Sequence, residues 1–244
     1  MTRDKAARRA EALALIRANI ERRGHHVYVV SPGTVPRWAY TVGLSPDVGA
    51  ELVLAGAVFF ADDDVVEILN DVADALRAKP DARAVEVDGC GTFTLRRADA
   101  SWTHDLLLGA RDYYKRDIEA LQLVPDEDHW TGDTPDLAQA WRSDADRAWR
   151  WLREPWDLPV ASDSTAVTDL DALRAAPVVE AARWEDDEWE LFSGAGDEFP
   201  PEQIRVVPLG TMLGIDGTLD VVVHLRVGDG VVREDGESEW SEWD

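Results

Sequence analysis

One run of the chain combines acidic and aromatic residues, and its chemistry is the most specific in the sequence. Trp184 is followed by four carboxylates and then by Trp189. On a hairpin the indoles would pack inward while the carboxylates project outward, and such a surface would attract a basic partner. A solvated turn over core tryptophans explains the pattern equally well. The predicted partner-binding residues are Trp184, Glu185, Asp186, Asp187, Glu188 and Trp189.

A second acidic segment, DEDHW at 126–130, precedes a tryptophan-rich stretch. We expect Asp126, Glu127 and Asp128 to form a second patch for the same kind of partner. His129 beside these carboxylates would also be a competent base or ligand if a distant residue completed the site. The histidines otherwise fit isolated polar or half-buried positions, because no H-E-x-x-H or H-x-H pattern occurs.

An alternative site lies in the first half of the chain. Tyr40 and Thr41 fall on a predicted strand beside Gly43, and a glycine permits close approach to the backbone. Together with Glu51 and His104 they define a candidate pocket for a small ligand or for hydrolase-like chemistry. The competing interpretation is a core strand whose glycine accommodates packing or a bulge.

Other catalytic and metal-binding signatures are missing from the sequence. Cys90 is the single cysteine, so an internal disulfide and a cysteine metal cage are excluded. It has no adjacent histidine or basic cluster, which predicts a turn thiol rather than a nucleophile. The chain has no P-loop, G-x-G-x-x-G or G-x-S-x-G motif. We therefore predict a non-enzymatic protein with no cofactor and no metal.

Charge restricts the partners that this chain can have. The 244 residues include 49 acidic and 25 basic side chains, a formal net charge of -24. Residues 141–244 hold 25 of the acidic residues, 9 of the basic ones and eight of the 11 tryptophans. Phosphates would be repelled, which argues against nucleic acids and anionic membranes and favours a basic protein partner. Adaptation to high salt is another source of acidic surfaces.

The N-terminal segment does not resemble a secretory signal. Its apolar residues recur at helical spacing over 4–23, and Arg17, Arg22 and Arg23 interrupt them. No run is long enough to span a bilayer. With the single cysteine, these features predict a cytoplasmic protein.

The hydrophobic pattern predicts an α+β fold with mixed or antiparallel sheets and flanking helices. Predicted strands are 26–30, 38–44, 51–56, 84–87, 92–96, 118–124, 178–184, 188–192, 204–210 and 219–227. Predicted helices are 4–23, 61–78, 105–116 and 135–153, with Asp62, Asp63 and Asp64 as cap and first turn of the second. We expect an α+β domain at 1–155, a linker at 156–177 and a smaller β-rich acidic region at 178–244. Its tail, GESEWSEWD, is expected to fray.

Residues 20–135 resemble a bacterial family called domain of unknown function 4262. The positions that carry the resemblance are Tyr40, Thr41, Gly43, Leu44, Glu51, Leu52, Leu69, Asn70, Gln122 and Leu123. Gly49-Ala50 replaces the His-Pro of the family pattern, so any chemistry of that histidine is absent here. The resemblance implies a fold rather than an activity.

The C-terminal region, 178–244, is similar to a module of bacterial polymorphic-toxin immunity proteins. The similarity lies in RVVPLGTMLGIDGTLDVVVHLRVGDGVVRED and in the Trp-rich acidic end. It implies an immunity protein that covers the basic active-site cleft of a cognate toxin. The small-ligand pocket in the first domain stays as the alternative.

Overall fold

Two six-stranded mixed sheets organise the chain, as the α+β prediction requires. The computed structural model describes residues 2–196 and 199–243, with side chains from residue 7 onward. The first sheet contains β1 (His26–Val30), β2 (Trp38–Val42), β3 (Glu51–Ala55), β4 (Ala84–Val87), β5 (Gly91–Arg97) and β6 (Ala120–Pro125). Its order is β1-β2-β3-β6-β5-β4; β3 and β6 are parallel, and the other neighbours are antiparallel.

Five helices accompany the first sheet among the described residues: α1 (Thr2–Arg23), α2 (Ser45–Val48), α3 (Asp62–Ala78), α4 (Ala100–Leu106) and α5 (Leu108–Tyr114). The predicted apolar face of α3 is confirmed. Its buried residues Val65, Ile68, Leu69, Val72, Ala73 and Leu76 join a core cluster with Leu52, Leu54, Phe93 and Leu123 of the sheet. The predicted aspartate cap is wrong in detail: Ala61 is the N-cap, and the Asp64 carboxylate accepts the Ala61 N–H at 3.0 Å.

The second sheet belongs to the C-terminal half. It contains β7 (Thr165–Asp169), β8 (Glu180–Arg183), β9 (Glu188–Phe192), β10 (Ile204–Pro208), β11 (Gly230–Val232) and β12 (Ser241–Glu242). Its order is β10-β7-β9-β8-β11-β12, with β7 and β9 parallel and the other pairs antiparallel. The helices here are α6 (Leu170–Leu173) and α7 (Leu209–Ile215), with 3-10 turns at Arg147–Leu152, Pro201–Gln203 and Gly217–His224.

Two predicted elements are wrong. The helix expected over 135–153 is a 3-10 helix at Arg147–Leu152 only. Carboxylates upstream bind backbone amides, as when Asp146 accepts the Arg142 N–H at 3.1 Å, and such local bonds compete with a helix. The strand expected over 219–227 is a 3-10 helix, started by Asp216, which accepts the Thr218 N–H at 2.9 Å. A short apolar run does not distinguish these states.

The C-terminal half differs from the sequence-based expectation at two further places. β7 lies inside the predicted linker 156–177, where it pairs with both β9 and β10. The tail that was expected to fray contributes β12, which pairs with β11, and the Trp243 N–H donates to the Gly230 carbonyl at 3.0 Å. Asp244 at its end lies outside the described residues.

One apolar cluster joins the two sheets. Tyr40 and Val53 of the first sheet belong to it, and so does Trp189 of the second. Trp149 and Trp151 join them from residues 126–164, the segment between β6 and β7, which we call the connector. The Trp149 indole is buried and donates to the Asp133 carbonyl at 2.7 Å. The tryptophan-rich connector therefore forms part of the core.

Gly56, directly after β3, lets the backbone of Asp133 come close to the first sheet, and with it the carbonyl that accepts the Trp149 indole. Its φ of +69° lies in the left-handed region, and a Cβ there would collide with the backbone carbonyl of Asp133. Gly49 has a similar φ of +84°, but no heavy atom lies within 4 Å of a Cβ built on it.

We predict that Gly56→Ala destabilises the protein more than Gly49→Ala does. Both variants carry left-handed strain of about 1–2 kcal/mol. Gly56→Ala adds overpacking against Asp133 that costs about 1–3 kcal/mol more. Denaturant unfolding of the two variants checks this, and equal losses of unfolding free energy would contradict the close approach at Gly56.

Candidate functional site

The acidic–aromatic run forms a hairpin whose two tryptophans face opposite ways. Trp189 is fully buried on β9, and its Nε1 donates to the Val222 carbonyl at 3.3 Å. Trp184 lies at the hairpin turn with 45% of its surface exposed. Trp189 therefore belongs to the core, and Trp184 is the member of the predicted set whose indole can contact a partner.

A second exposed indole lies beside Trp184. The Trp243 ring, after β12, is 44% exposed, and its centroid is 6.1 Å from that of Trp184. A Cβ at Gly230 would collide with the Trp243 ring, so this glycine lets the indole lie flat on β11. The Trp184 Nε1 donates to Glu190 at 2.7 Å, which fixes the orientation of the pair.

Exposed carboxylates border this pair of indoles. Glu185, Asp186, Asp187 and Glu188 are all exposed. The nearby Arg183 forms no ion pair with them: its guanidinium donates to backbone carbonyls, among them that of Asp186 at 2.7 Å, so its single charge offsets the four carboxylates only in part. Within the described part of the chain, no cation forms an ion pair with these four side chains. We call Trp184, Glu185, Asp186, Asp187, Glu188 and Trp243 the indole–carboxylate surface.

In the second predicted patch one carboxylate is hydrogen-bonded within the fold and the other two are exposed to solvent. Asp126 Oδ2 accepts the Thr92 N–H at 2.7 Å, and its Oδ1 lies 2.5 Å from His129 Nδ1. The His129 ring stacks on Phe60, with centroids 5.5 Å apart. Asp126 is thus engaged within the fold, whereas Glu127 and Asp128 are exposed.

The surroundings of Asp126 and Cys90 shift the pKa of each group. Burial raises the pKa of Asp126, but hydrogen bonds from Thr92 and His129 outweigh it, and the pKa lies below its ordinary value. Burial, together with the charges of Asp64 and Glu67, raises the pKa of the Cys90 thiol. The raised value disfavours the nucleophilic thiolate at Cys90.

The residues of the alternative pocket fall into three separate environments. Thr41 and Glu51 are buried together, and the Thr41 hydroxyl donates to Glu51 at 2.6 Å. Tyr40 faces the other side of β2, where its ring stacks on Tyr28 and its hydroxyl accepts the Gly109 N–H at 3.0 Å. His104 is exposed on α4.

Glu51 is the centre of a dense buried network. Its carboxylate accepts the hydroxyls of Thr41 and Tyr114, at 2.6 and 2.7 Å, and the backbone amides of residues 43, 44 and 45. Burial and then the Glu51 charge hold the pKa of Tyr114 far above its ordinary value. With five donors on two oxygens, the carboxylate ties β2, β3, α2 and α5 together and has little capacity left for a ligand.

The described residues contain neither a metal-binding cluster nor a membrane-spanning helix. No group of three or more His, Cys, Asp or Glu side chains there could hold a metal ion. No helix in the described chain combines the length and the apolar character needed to cross a membrane.

Residues 19–132 match the family model for a domain of unknown function, 4262. The match spans just under half of the 244-residue chain and agrees with the resemblance seen at β2, β3, α3 and β6. No curated protein and no solved structure matches this chain.

Sequence reasoning missed several residues at these sites. Trp243 lies in the tail that the sequence predicts to fray, although a tryptophan between carboxylates also signals burial or contact. Tyr114 and Gly109 gave no local signal, because their contacts to Glu51 and Tyr40 join segments 63 and 69 residues apart.

We predict that Glu51 stabilises the fold and does not bind a ligand. Glu51→Gln replaces a charged acceptor with a neutral amide that offers one acceptor oxygen, so buried donors lose partners at about 1–3 kcal/mol each. Glu119→Gln is the matched control, because Glu119 pairs with Arg97 at the surface and should change stability by less than about 1 kcal/mol. Denaturant unfolding measures both, and wild-type stability of Glu51→Gln would contradict the assigned role.

Proposed function

We propose that this protein is a non-enzymatic binding protein, specifically an immunity protein that neutralises a bacterial toxin by covering a basic active-site cleft. The observation that carries the proposal is the exposed pair Trp184 and Trp243, bordered by four carboxylates without ion-pair partners in the described chain. The similarity of 178–244 to immunity-protein modules names the class of partner.

Electrostatics supports a cationic partner. Residues 178–244 hold 18 acidic and 4 basic side chains, so the potential around this surface is negative. A toxin that acts on nucleic acids or nucleotides has a basic cleft, because it must bind phosphates. Opposite potentials accelerate encounter and reject wrong partners.

The exposed indoles supply the aromatic anchors that an interface also needs. Aromatic anchors near the middle of a contact, surrounded by polar groups that exclude water, provide much of the binding free energy. Trp184 and Trp243 are held by Glu190 and by the glycine of β11, so little side-chain entropy is lost when they are covered. Glu127 and Asp128 form a second contact region in this proposal.

The alternative, a small-ligand or hydrolase-like site at Tyr40, Thr41, Glu51 and His104, has less support. Tyr40 and Thr41 face opposite sides of a strand, and the Glu51 oxygens are occupied by five donors. A cytoplasmic location follows from the proposed role, because an immunity protein of this kind protects the cell that makes the toxin.

The test begins with capture of the partner by the full chain from its host, followed by surface plasmon resonance with the purified partner. Neutralising Asp186, Asp187 and Glu188 together should slow association by about tenfold or more at low salt, because steering is lost. Neutralising Asp63, Glu67 and Asp71 on the exposed side of α3 removes the same charge and is the matched control.

Growth rescue separates an immunity protein from a general binding protein. Cells that express the captured partner should stop growing, and co-expression of the wild-type chain should restore growth. Trp184→Ala combined with Trp243→Ala should abolish rescue through faster dissociation. A partner that is harmless to cells, or binding that is insensitive to salt and to the three neutralised carboxylates, would refute the proposal.

A further inference from the structure

Two adjacent histidines lie where α1 joins β1, outside the surfaces described above. His25 follows the turn at Gly24, and His26 is the first residue of β1. His25 is only 2% exposed, and His26 is half-buried. Side-chain hydrogen bonds hold both rings, and the donors and acceptors in those bonds define the protonation state that the fold requires.

The hydrogen bonds of His25 require a neutral imidazole. Its Nε2 lies 2.9 Å from the side-chain oxygen of Asn70, which can only accept, so Nε2 carries the proton. Its Nδ1 lies 3.1 Å from Nη2 of Arg77, which can only donate, so Nδ1 presents its lone pair. A second proton on His25 would place two donors and two positive charges against each other at this contact.

The Arg77 guanidinium is held in place by other partners. Its Nε donates to Asp47 of α2 at 2.9 Å, and its Nη1 donates to Asp74 of α3 at 2.9 Å. A Cβ at Gly24 would collide with the guanidinium, so the group lies directly against the turn. Neutral His25 therefore completes a set of three acceptors that joins α2, α3 and the start of β1.

His26 makes a similar contact with α1. The Asn19 Nδ2 donates to His26 Nδ1 at 2.8 Å, so this nitrogen also presents a lone pair. Reversing the Asn19 amide would break another bond, because its Oδ1 accepts Nη2 of Arg22 at 3.0 Å. A protonated His26 would face the amide donor, and the bond between α1 and β1 would be lost.

Charges on all the elements packed around the two rings contribute to their titration. They belong to Arg22 and Arg23 of α1, Asp47 of α2, Asp74 and Arg77 of α3, and the titratable Tyr28 of β1. Burial lowers the pKa of His25, the hydrogen bond to Asn70 opposes this, and the charge of Arg77 adds to the decrease. Burial, and then the charge of His25, lowers the pKa of His26.

The direction of these shifts gives the direction of the pH response. If the junction opens, both rings titrate near the ordinary histidine pKa of about 6.5. The open state then takes up protons that the closed state excludes. The closed junction is fully favoured above about pH 6.5, and it loses stability as the pH falls from there through the lowered values.

The other three histidines tolerate a proton. His104 and His224 are exposed to solvent. His129 Nδ1 lies 2.5 Å from the Asp126 carboxylate, which accepts its N–H in either protonation state. Acid sensitivity of this kind is therefore confined to the junction of α1 and β1.

The docking of α1 depends on this junction because few of its side chains are buried. Among those that the structure describes, Ile16 alone is buried, while Leu13 and Ile20 are partly covered. The ion pair between Arg9 and Asp112 lies at the surface, where such pairs add little stability.

We infer that His25 and His26 form an acid-sensitive latch, whose protonation releases α1 and β1 from α3 at a pH where the second sheet is still folded. The inference stands on the contacts of the two rings and does not depend on the proposed toxin partner.

Hydrogen–deuterium exchange of the full chain, followed by mass spectrometry and corrected for the intrinsic pH dependence of exchange, tests the latch. Between about pH 7.5 and about pH 5.5, the opening of peptides within 13–30 should increase about tenfold for each histidine. Peptides that contain β7 and β9 should keep their protection.

Glutamine variants separate the latch from general acid effects. His25→Gln and His26→Gln retain an acceptor and a donor but do not titrate, so each should remove about tenfold of the increase. His104→Gln is the matched control at an exposed position, and it should respond to pH as the wild type does.

Nitrogen NMR of the wild-type imidazoles keeps the test decisive if a glutamine variant fails to fold. At about pH 7.5, which lies above the ordinary histidine pKa, both rings should carry their proton on Nε2. A proton on Nδ1 of His25 would overturn the latch. So would unchanged protection of 13–30 in acid, an undiminished response in both glutamine variants, or simultaneous loss of protection in both sheets. Each of these results would leave the proposed function untouched.

Discussion

The burial of Trp149 between the two sheets is the constraint on which the rest of the structure depends. A buried indole requires an acceptor, and Trp149 finds it in the Asp133 carbonyl, which itself lies against Gly56. Trp38 and Trp102 pack edge-on against the same ring and donate to carbonyls of their own. The connector is thereby fixed to both halves, and one apolar cluster extends across them. The hairpin that carries Trp184 has a defined position because of this junction.

Local patterns in the sequence predicted most of the individual elements. The apolar periodicity of α3 and the short strands of the first sheet correspond closely to the structure, because each is determined by residues a few positions apart. The segments 135–153 and 219–227 were misassigned, since side-chain caps and tertiary burial decide their conformation. The sheet membership of β7 depends on pairing with residues 23 to 43 positions away in the chain, which periodicity does not reveal.

The candidate surface was predictable in part. Its carboxylates are exposed as expected, and a single indole of the predicted pair faces solvent. The second exposed indole, Trp243, becomes visible only when β12 pairs with β11 beside the hairpin. The surface offers carboxylate acceptors to cations, which agrees with the acidic composition of the chain.

The parallel pairs within the two sheets imply different folding times. Along the chain, five elements lie between the parallel partners β3 and β6: α3, β4, β5, α4 and α5. Only α6 and β8 lie between the parallel partners β7 and β9. Closing the longer loop costs more chain entropy before any contact compensates for it. We therefore expect the central pairing of the first sheet to form after that of the second, and until then one edge of β3, whose residues are all buried in the folded chain, is open to other chains. We expect aggregation of nascent molecules to be fastest during that interval, before β6 pairs with β3.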